Sequence, residues 1–123
     1  MSEKPHPVEG QVVLLAGAKA SVTLKRLSEL LERAQQYVRS NRDTYENRFE
    51  RITGKDDRVY YLVEAGHWDE AGGLLGFDAR ESDAIRRAHT AQFTRDGRRL
   101  DRLEEFETAL DIREVVVFDN GPA

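Results

Sequence analysis

Apolar side chains recur every three or four residues between Ser21 and Ile52, which is the period of an α-helix. Four pairs of oppositely charged residues at a spacing of four positions support helical structure in the same stretch. The pattern predicts one long helix that follows an N-cap at Ser21 or Thr23 and is clearest as far as Glu46. The positions on the stripe are Leu24, Leu27, Leu31, Ala34, Val38, Asn41, Tyr45, Arg48 and Ile52.

Short runs of β-branched and aromatic or aliphatic residues predict strands elsewhere in the chain. Val12–Ala16 ends at a glycine and is interpreted as the first strand, and Val115–Phe118 is interpreted as the last. Residues 47–53 and 58–64 flank Gly54–Asp57, a strong turn sequence, so they are predicted to pair as a β-hairpin. The alternative is that the long helix continues to its last apolar position and a single strand follows.

Three further helices are indicated in the second half of the chain. The first covers residues 66–75 and is expected to end at Gly76, a residue suited to a helix C-terminus. Asp78–Glu81 resembles a capping box, so a second helix is predicted from Ala79 to about Thr94. Asp96 and Gly97 are expected to break or kink it. The last helix is indicated by a stripe at Leu100, Leu103, Phe106 and Leu110.

The predicted order of elements is β-α-β-β-α-α-α-β, which defines an α+β fold. We expect a small mixed β-sheet of three to four strands, packed against one long helix and two to three shorter helices. In the most economical packing the helices cover one face of the sheet. Residues 1–10 contain two of the three prolines and are expected to form a flexible arm, with a single domain over residues 11–120.

Composition narrows the classes of protein that the chain can represent. It has 123 residues, of which 39% are hydrophobic and 34% charged, and its net charge of −4 gives no overall attraction to nucleic acid or anionic membranes. The charge is uneven, since residues 1–58 carry a net +2 and residues 59–123 a net −6. The absence of cysteine excludes disulfides and thiolate metal sites. A soluble, cytoplasmic protein without a membrane-spanning segment is expected.

The segment from Trp68 to Phe93 can be compared with a DNA-binding helix-turn-helix. Gly72 and Gly76 fall on the small-residue and turn positions of that motif, but Ser82 stands where it requires an apolar side chain. Acidic residues also interleave with the arginines of the second helix, so an ordinary helical hairpin is favoured. If the motif did bind DNA, the contacts would come from Arg80, Arg86, Arg87, Arg98 and Arg99.

Two histidines and two carboxylates have side chains suited to metal binding or acid–base chemistry. These residues are His67, Asp69, Glu70 and His89, and their spacing matches no metal motif. His89 shares a helical stripe with apolar neighbours, which favours a buried structural histidine, although a role as a ligand stays open. No serine lies in a nucleophile motif. The sequence therefore predicts no enzyme, no metal site and no cofactor.

The long helix offers a surface for self-association, because a polar Asn41 among apolar positions is typical of a helical dimer seam. Packing of the same stripe on the chain's own sheet is the alternative. Exposed edge strands at Val12–Leu15 or Val115–Phe118 would be a second route. We predict a non-catalytic protein-interaction domain, in the form of a homodimer, with a DNA-binding regulator as the alternative. The seam would contain Leu24, Leu27, Leu31, Val38, Asn41 and Tyr45.

Overall fold

The computed structural model describes residues 6–119, which form six helices and a three-stranded sheet. The helices are α1 (Gly10–Ala20), α2 (Leu24–Ser40), α3 (Arg42–Arg48), α4 (His67–Leu74), α5 (Ala79–Arg99) and α6 (Leu103–Ala109). The strands are β1 (Glu50–Thr53), β2 (Arg58–Glu64) and β3 (Arg113–Asp119). The predicted α+β fold with a long helix is confirmed.

The predicted hairpin is present, with β2 as the central strand of the sheet. Its turn contains two aspartates with positive φ, Asp56 at 52° and Asp57 at 66°, and the Gly54 amide donates to the Arg58 carbonyl at 2.8 Å. β1 and β3 both pair with β2 in antiparallel orientation. The sheet is therefore antiparallel throughout rather than mixed. Before the turn, the chain is helical as far as Arg48 and forms strand β1 from Glu50.

Helices cover both faces of the sheet, and not one face as expected. Tyr60 and Tyr61 are neighbours in β2 and point to opposite faces. The Tyr60 ring packs against Phe93 of α5, with the ring centroids 4.9 Å apart. The Tyr61 ring packs against Tyr45 of α3 at 5.6 Å. Both tyrosines are completely buried, so β2 is the centre of the core.

The first predicted strand is wrong, because Val12–Ala16 lies inside α1. The buried positions in this helix include Val12, Val13 and Ala16, whereas Leu14 and Leu15 are about half exposed. That spacing is helical. A run of five apolar residues does not distinguish a strand from a helix, since both alternatives place apolar side chains in the core. With this strand absent, the sheet has three strands.

Residues 6–10, at the end of the expected flexible arm, pack against the rest of the domain in the structure. Val8 is only 2% exposed and belongs to the core. The Glu9 carboxylate accepts hydrogen bonds from Arg58 and Arg99, and the Arg99 bond is the main cause that lowers the pKa of Glu9 to about 2. These contacts fix the chain that leads into α1. The first five residues, and position 120 at the expected domain end, lie outside the described residues.

The predicted long helix is divided into α2 and α3 at Asn41. The Asn41 side-chain amide donates to the Tyr37 carbonyl at 2.8 Å, so it satisfies a backbone group at the end of α2. The predicted N-cap is confirmed at Thr23, whose hydroxyl accepts from the Arg26 amide at 3.1 Å. Ser21 instead has a left-handed backbone, with φ at 59°, and ends α1. The polar residue on the stripe is therefore a cap.

The central helix is α5, which continues five residues beyond the predicted end at Thr94. Its capping box at Asp78 is confirmed. Asp96 and Gly97 do not break it, because both are used for packing on other elements. The Asp96 carboxylate accepts hydrogen bonds from Arg58 and from a β2 tyrosine. A Cβ at Gly97 would lie 2.9 Å from the Phe106 ring, so glycine allows α6 to approach closely.

Burial of the α2 stripe supports a stability prediction. Leu31 is 1% exposed, so we expect Leu31→Ala to lower the free energy of unfolding by about 2–5 kcal/mol, as large-to-small core substitutions do. Leu24 on the same stripe is 49% exposed, and Leu24→Ala is the matched control with an expected change below about 0.5 kcal/mol. Urea denaturation measures both. Equal effects in the two variants would contradict the burial of the stripe.

Candidate interaction site

The residues of the predicted dimer seam are used mainly inside the chain. Leu27, Leu31, Val38 and Tyr45 are at most 3% exposed. A partner would have to displace the chain's own core to reach these four side chains. Leu24 remains half exposed at the start of α2. Self-association stays a prediction, but this stripe does not offer a free surface for it.

Side chains also occupy the outer edge of β3, the predicted edge strand. Gln35 donates to the Val117 carbonyl at 3.2 Å and accepts from the Asp119 amide at 3.0 Å. The Val117 amide donates to His89 Nδ1 at 2.9 Å, and the Trp68 indole donates to the Val115 carbonyl at 3.0 Å. Addition of a strand to β3 would require these bonds to break. β1 is the other edge, but it is short and charged, which disfavours edge pairing.

His89 is thereby a structural residue in this fold. It is 2% exposed, and its Nδ1 must be unprotonated to accept the bond from β3. Burial lowers the pKa of His89 to about 3, so the ring is neutral near pH 7. His67 makes a different contact from His89, because its Nε2 lies 2.7 Å from the Tyr45 hydroxyl. Asp69 and Glu70 are exposed in the first turn of α4.

A groove between α1 and α5 contains several of the predicted contact residues. Its cavity volume is about 420 Å³. One wall is α1, which contributes an i, i+3, i+4, i+7 set of side chains, Val12, Leu15, Ala16 and Lys19. The α5 wall is formed by Arg86, Arg87, Thr90, Ala91, Thr94, Arg95 and Arg98. Four of these side chains are apolar, Val12, Leu15, Ala16 and Ala91, and together they are called the apolar floor. The groove therefore combines an apolar floor with five cationic side chains.

The cations of the groove differ in how far they are neutralised. Asp83 forms ion pairs with Arg86 and with Arg87, the latter at 2.7 Å, and the Arg87 bond is the main cause that lowers the pKa of Asp83. Within residues 6–119, no ion partner is found for Lys19 or Arg98, and both are exposed. The groove thus keeps a net positive charge on a chain whose total charge is −4.

The structure brings together three of the five predicted DNA contacts, Arg86, Arg87 and Arg98. Arg99 instead binds Glu9, and the exposed Arg80 lies outside the groove. Sequence reasoning missed the α1 side of the site because it assigned that stretch to a strand. The i, i+3, i+4, i+7 spacing from Val12 was the signal that would have revealed it.

The predicted helical hairpin is formed by α4 and α5, and the two helices pack closely against each other as part of the core. Ser82 is 4% exposed, and a Cβ at Gly72 would lie 2.0 Å from the Ser82 hydroxyl. The two small residues therefore let the helices cross closely. α5 also contacts α1, α2, α6 and β3, so most of its surface is covered.

Residues 6–119 contain no group of three or more metal-ligating side chains. None of their helices has the length and hydropathy needed to cross a bilayer.

The fold and the groove define a small α+β domain in which helices surround an antiparallel hairpin-based sheet. Residues 6–120 match the family described as a domain of unknown function, DUF8048, and the chain belongs to that family. No curated protein and no solved structure matches the chain.

Proposed function

We propose that the chain is a non-catalytic protein-interaction domain whose docking surface is the groove between α1 and α5. The observation that supports it most is the combination of an apolar floor with uncompensated cations on the rim. Leu15 lines the groove and is 52% exposed, so its side chain is accessible to a partner. The partner that fits is an amphipathic helix with acidic side chains beside its apolar stripe.

The dimensions of the groove favour a helix as the occupant. Glu9, just before α1, contacts Gln92 and Arg99 in the C-terminal half of α5, and side chains of both helices line the groove. α1 has 11 residues and is roughly 16 Å long at 1.5 Å per residue. A third helix lying between α1 and α5 would contact them over about three turns.

Nucleic acid is the alternative, and the width of the surface does not favour it. The major groove is about 12 Å wide and admits one helix. α1 lies along the face of α5 that presents Arg86, Arg87 and Arg98, and packed helices have axes 8–10 Å apart, so the pair is about 20 Å wide with side chains. An apolar floor also has no counterpart in a phosphate backbone.

A second copy of the same groove is disfavoured as the occupant for an electrostatic reason. A two-fold dimer places the same patch against itself, so Lys19 and Arg98 would face like charges. Self-association therefore requires another surface, whereas an acidic helix gains attraction from both residues.

Binding of a designed probe tests the proposal. The probe is a labelled helical peptide of about four turns, with leucines on one stripe and glutamates beside them. We expect saturable binding by fluorescence anisotropy, weakened at least about tenfold by Lys19→Glu combined with Arg98→Glu. The control with the same charge change, Lys25→Glu combined with Arg51→Glu, alters exposed cations outside the groove and should leave binding within about twofold.

A second pair of variants tests the apolar floor. Leu15 lines the groove and Leu14, equally exposed, does not. Leu15→Asn should weaken binding of the acidic peptide, and Leu14→Asn should not. Equal loss in both variants, or no binding at all, would contradict the proposal. Salt-sensitive binding of duplex DNA at about 50 mM salt, lost with the groove cations, would replace it with the nucleic-acid alternative.

A further inference from the structure

An exposed apolar side chain lies in the turn between α6 and β3. Ile112 is 77% exposed, the largest exposed fraction among the large hydrophobic side chains of residues 6–119. It borders a cavity of about 280 Å³ between α6 and the hairpin of β1 and β2. The other apolar side chains in the lining of this cavity are Ile52, Leu62, Phe106 and Ala109.

The same part of the chain carries a concentrated negative charge. Residues 101–111 contain five carboxylates and one arginine, a net charge of −4, and the arginine forms an ion pair with one of the five. Glu104, Glu107 and Asp111 are exposed, and within residues 6–119 none of these three has an ion partner. Thr108 lines the cavity beside Ile112, directly after Glu107 and one helical turn from Glu104. The carboxylates therefore flank the cavity.

This surface complements the groove between α1 and α5. We call it the acidic surface, and it consists of Ile112, the cavity beside it, and the carboxylates of Glu104, Glu107 and Asp111. It shares no lining residue with the groove. The groove has an apolar floor and unpaired cations, whereas the acidic surface has an exposed apolar side chain and unpaired carboxylates. Each surface can thus give the other an apolar contact and a charge of opposite sign.

We infer that the groove of one copy binds the acidic surface of a second copy, so that the chain associates head to tail. The inference rests on the proposed function, because it takes the groove as the docking surface and names its partner. In this contact Ile112 of one copy packs against Leu15 and the apolar floor of the next. The unpaired carboxylates lie beside Lys19 and Arg98.

Charge disfavours the symmetric ways in which these two surfaces could associate. A two-fold dimer places a patch against itself. Two grooves would bring Lys19 and Arg98 against like charges, and two acidic surfaces would bring their carboxylates together. The head-to-tail contact joins opposite charges instead. Because it leaves one groove and one acidic surface free at the ends, it continues into rings or filaments.

The size of the contact indicates weak association. α6 has seven residues and is roughly 10 Å long at 1.5 Å per residue, which is shorter than α1. A contact of this length belongs to the small, transient interfaces. We therefore expect assembly that increases with protein concentration and continues beyond a dimer. Added salt should weaken it, because the attracting charges are exposed.

Sedimentation velocity over a series of protein concentrations measures the association. A groove variant carries Lys19→Glu with Arg98→Glu, and an acidic-surface variant carries Glu107→Gln with Ile112→Asn. Each variant should weaken self-association at least about tenfold. The matched control for the acidic-surface variant is Glu32→Gln with Leu74→Asn. It makes the same changes at exposed residues outside both surfaces and should stay within about twofold of the wild type.

A mixture of the two variants gives the sharpest test. The groove variant keeps its acidic surface and the acidic-surface variant keeps its groove, so the mixture should form a complex of one copy of each and grow no further. Failure to form this complex, or self-association that either variant leaves intact, would overturn the inference. A wild type that stays monomeric but binds the acidic helical peptide would also overturn it, while leaving the proposed function in place.

Discussion

Asp96→Asn is expected to lower the free energy of unfolding by about 3–5 kcal/mol, because it leaves a buried arginine without its main counter-charge. The Asp96 carboxylate is 0% exposed and accepts two hydrogen bonds from Arg58, each at 2.8 Å. It also accepts from the Tyr60 hydroxyl at 2.6 Å. These bonds hold its pKa below the usual range, although burial acts in the opposite direction and is the largest single influence.

Asp56 provides the control, since it also lies near Arg58, at 3.8 Å, but its side chain is 75% exposed. Asp56→Asn should change stability by less than about 1 kcal/mol in the same urea titration. Replacing both partners, as Arg58→Met with Asp96→Leu, should cost less than Asp96→Asn alone, because neither charge of this pair is then left without the other. A double variant that is less stable than the single one would contradict this account.

The sequence was most informative where structure depends on near neighbours. The hairpin follows from the Gly54–Asp57 turn between two β-rich segments, and the start of α5 follows from the capping box at Asp78. Both are decided by hydrogen bonds over three or four residues. α1 was missed because its five apolar residues satisfy a strand and a helix equally, and only tertiary packing decides between them.

Contacts between residues far apart in the chain could not be predicted from such short sequence patterns. Glu9 binds Arg99 from a position 90 residues away, and Gln35 binds the edge of β3 from a position 82 residues away. A polar residue on an apolar stripe was interpreted as a seam at Asn41, where the structure has a cap. The groove is formed by α1 and α5 together. The arginines of α5 were identified from the sequence as possible contacts, but the apolar side chains of α1 were not, because that segment was assigned to a strand.

Acid is expected to destabilise the protein strongly between about pH 6.5 and pH 4. The folded state lowers the pKa of His89 to about 3 and that of His67 to about 4, mainly because both rings are buried. In the unfolded chain both would titrate near 6.5. In this window the unfolded state therefore binds up to two more protons than the folded state, so stability is present above pH 6.5 and is lost as the pH falls.

The expected slope is about 1.4 kcal/mol per pH unit for each histidine, or nearly 3 kcal/mol per unit for both around pH 5. Urea denaturation at a series of pH values measures it. His89→Gln and His67→Gln should each remove about half of the slope, although His89→Gln also lowers stability at pH 7 by disturbing the Val117 amide bond. A slope that neither substitution changes would show that these rings are not the groups whose protonation opposes folding.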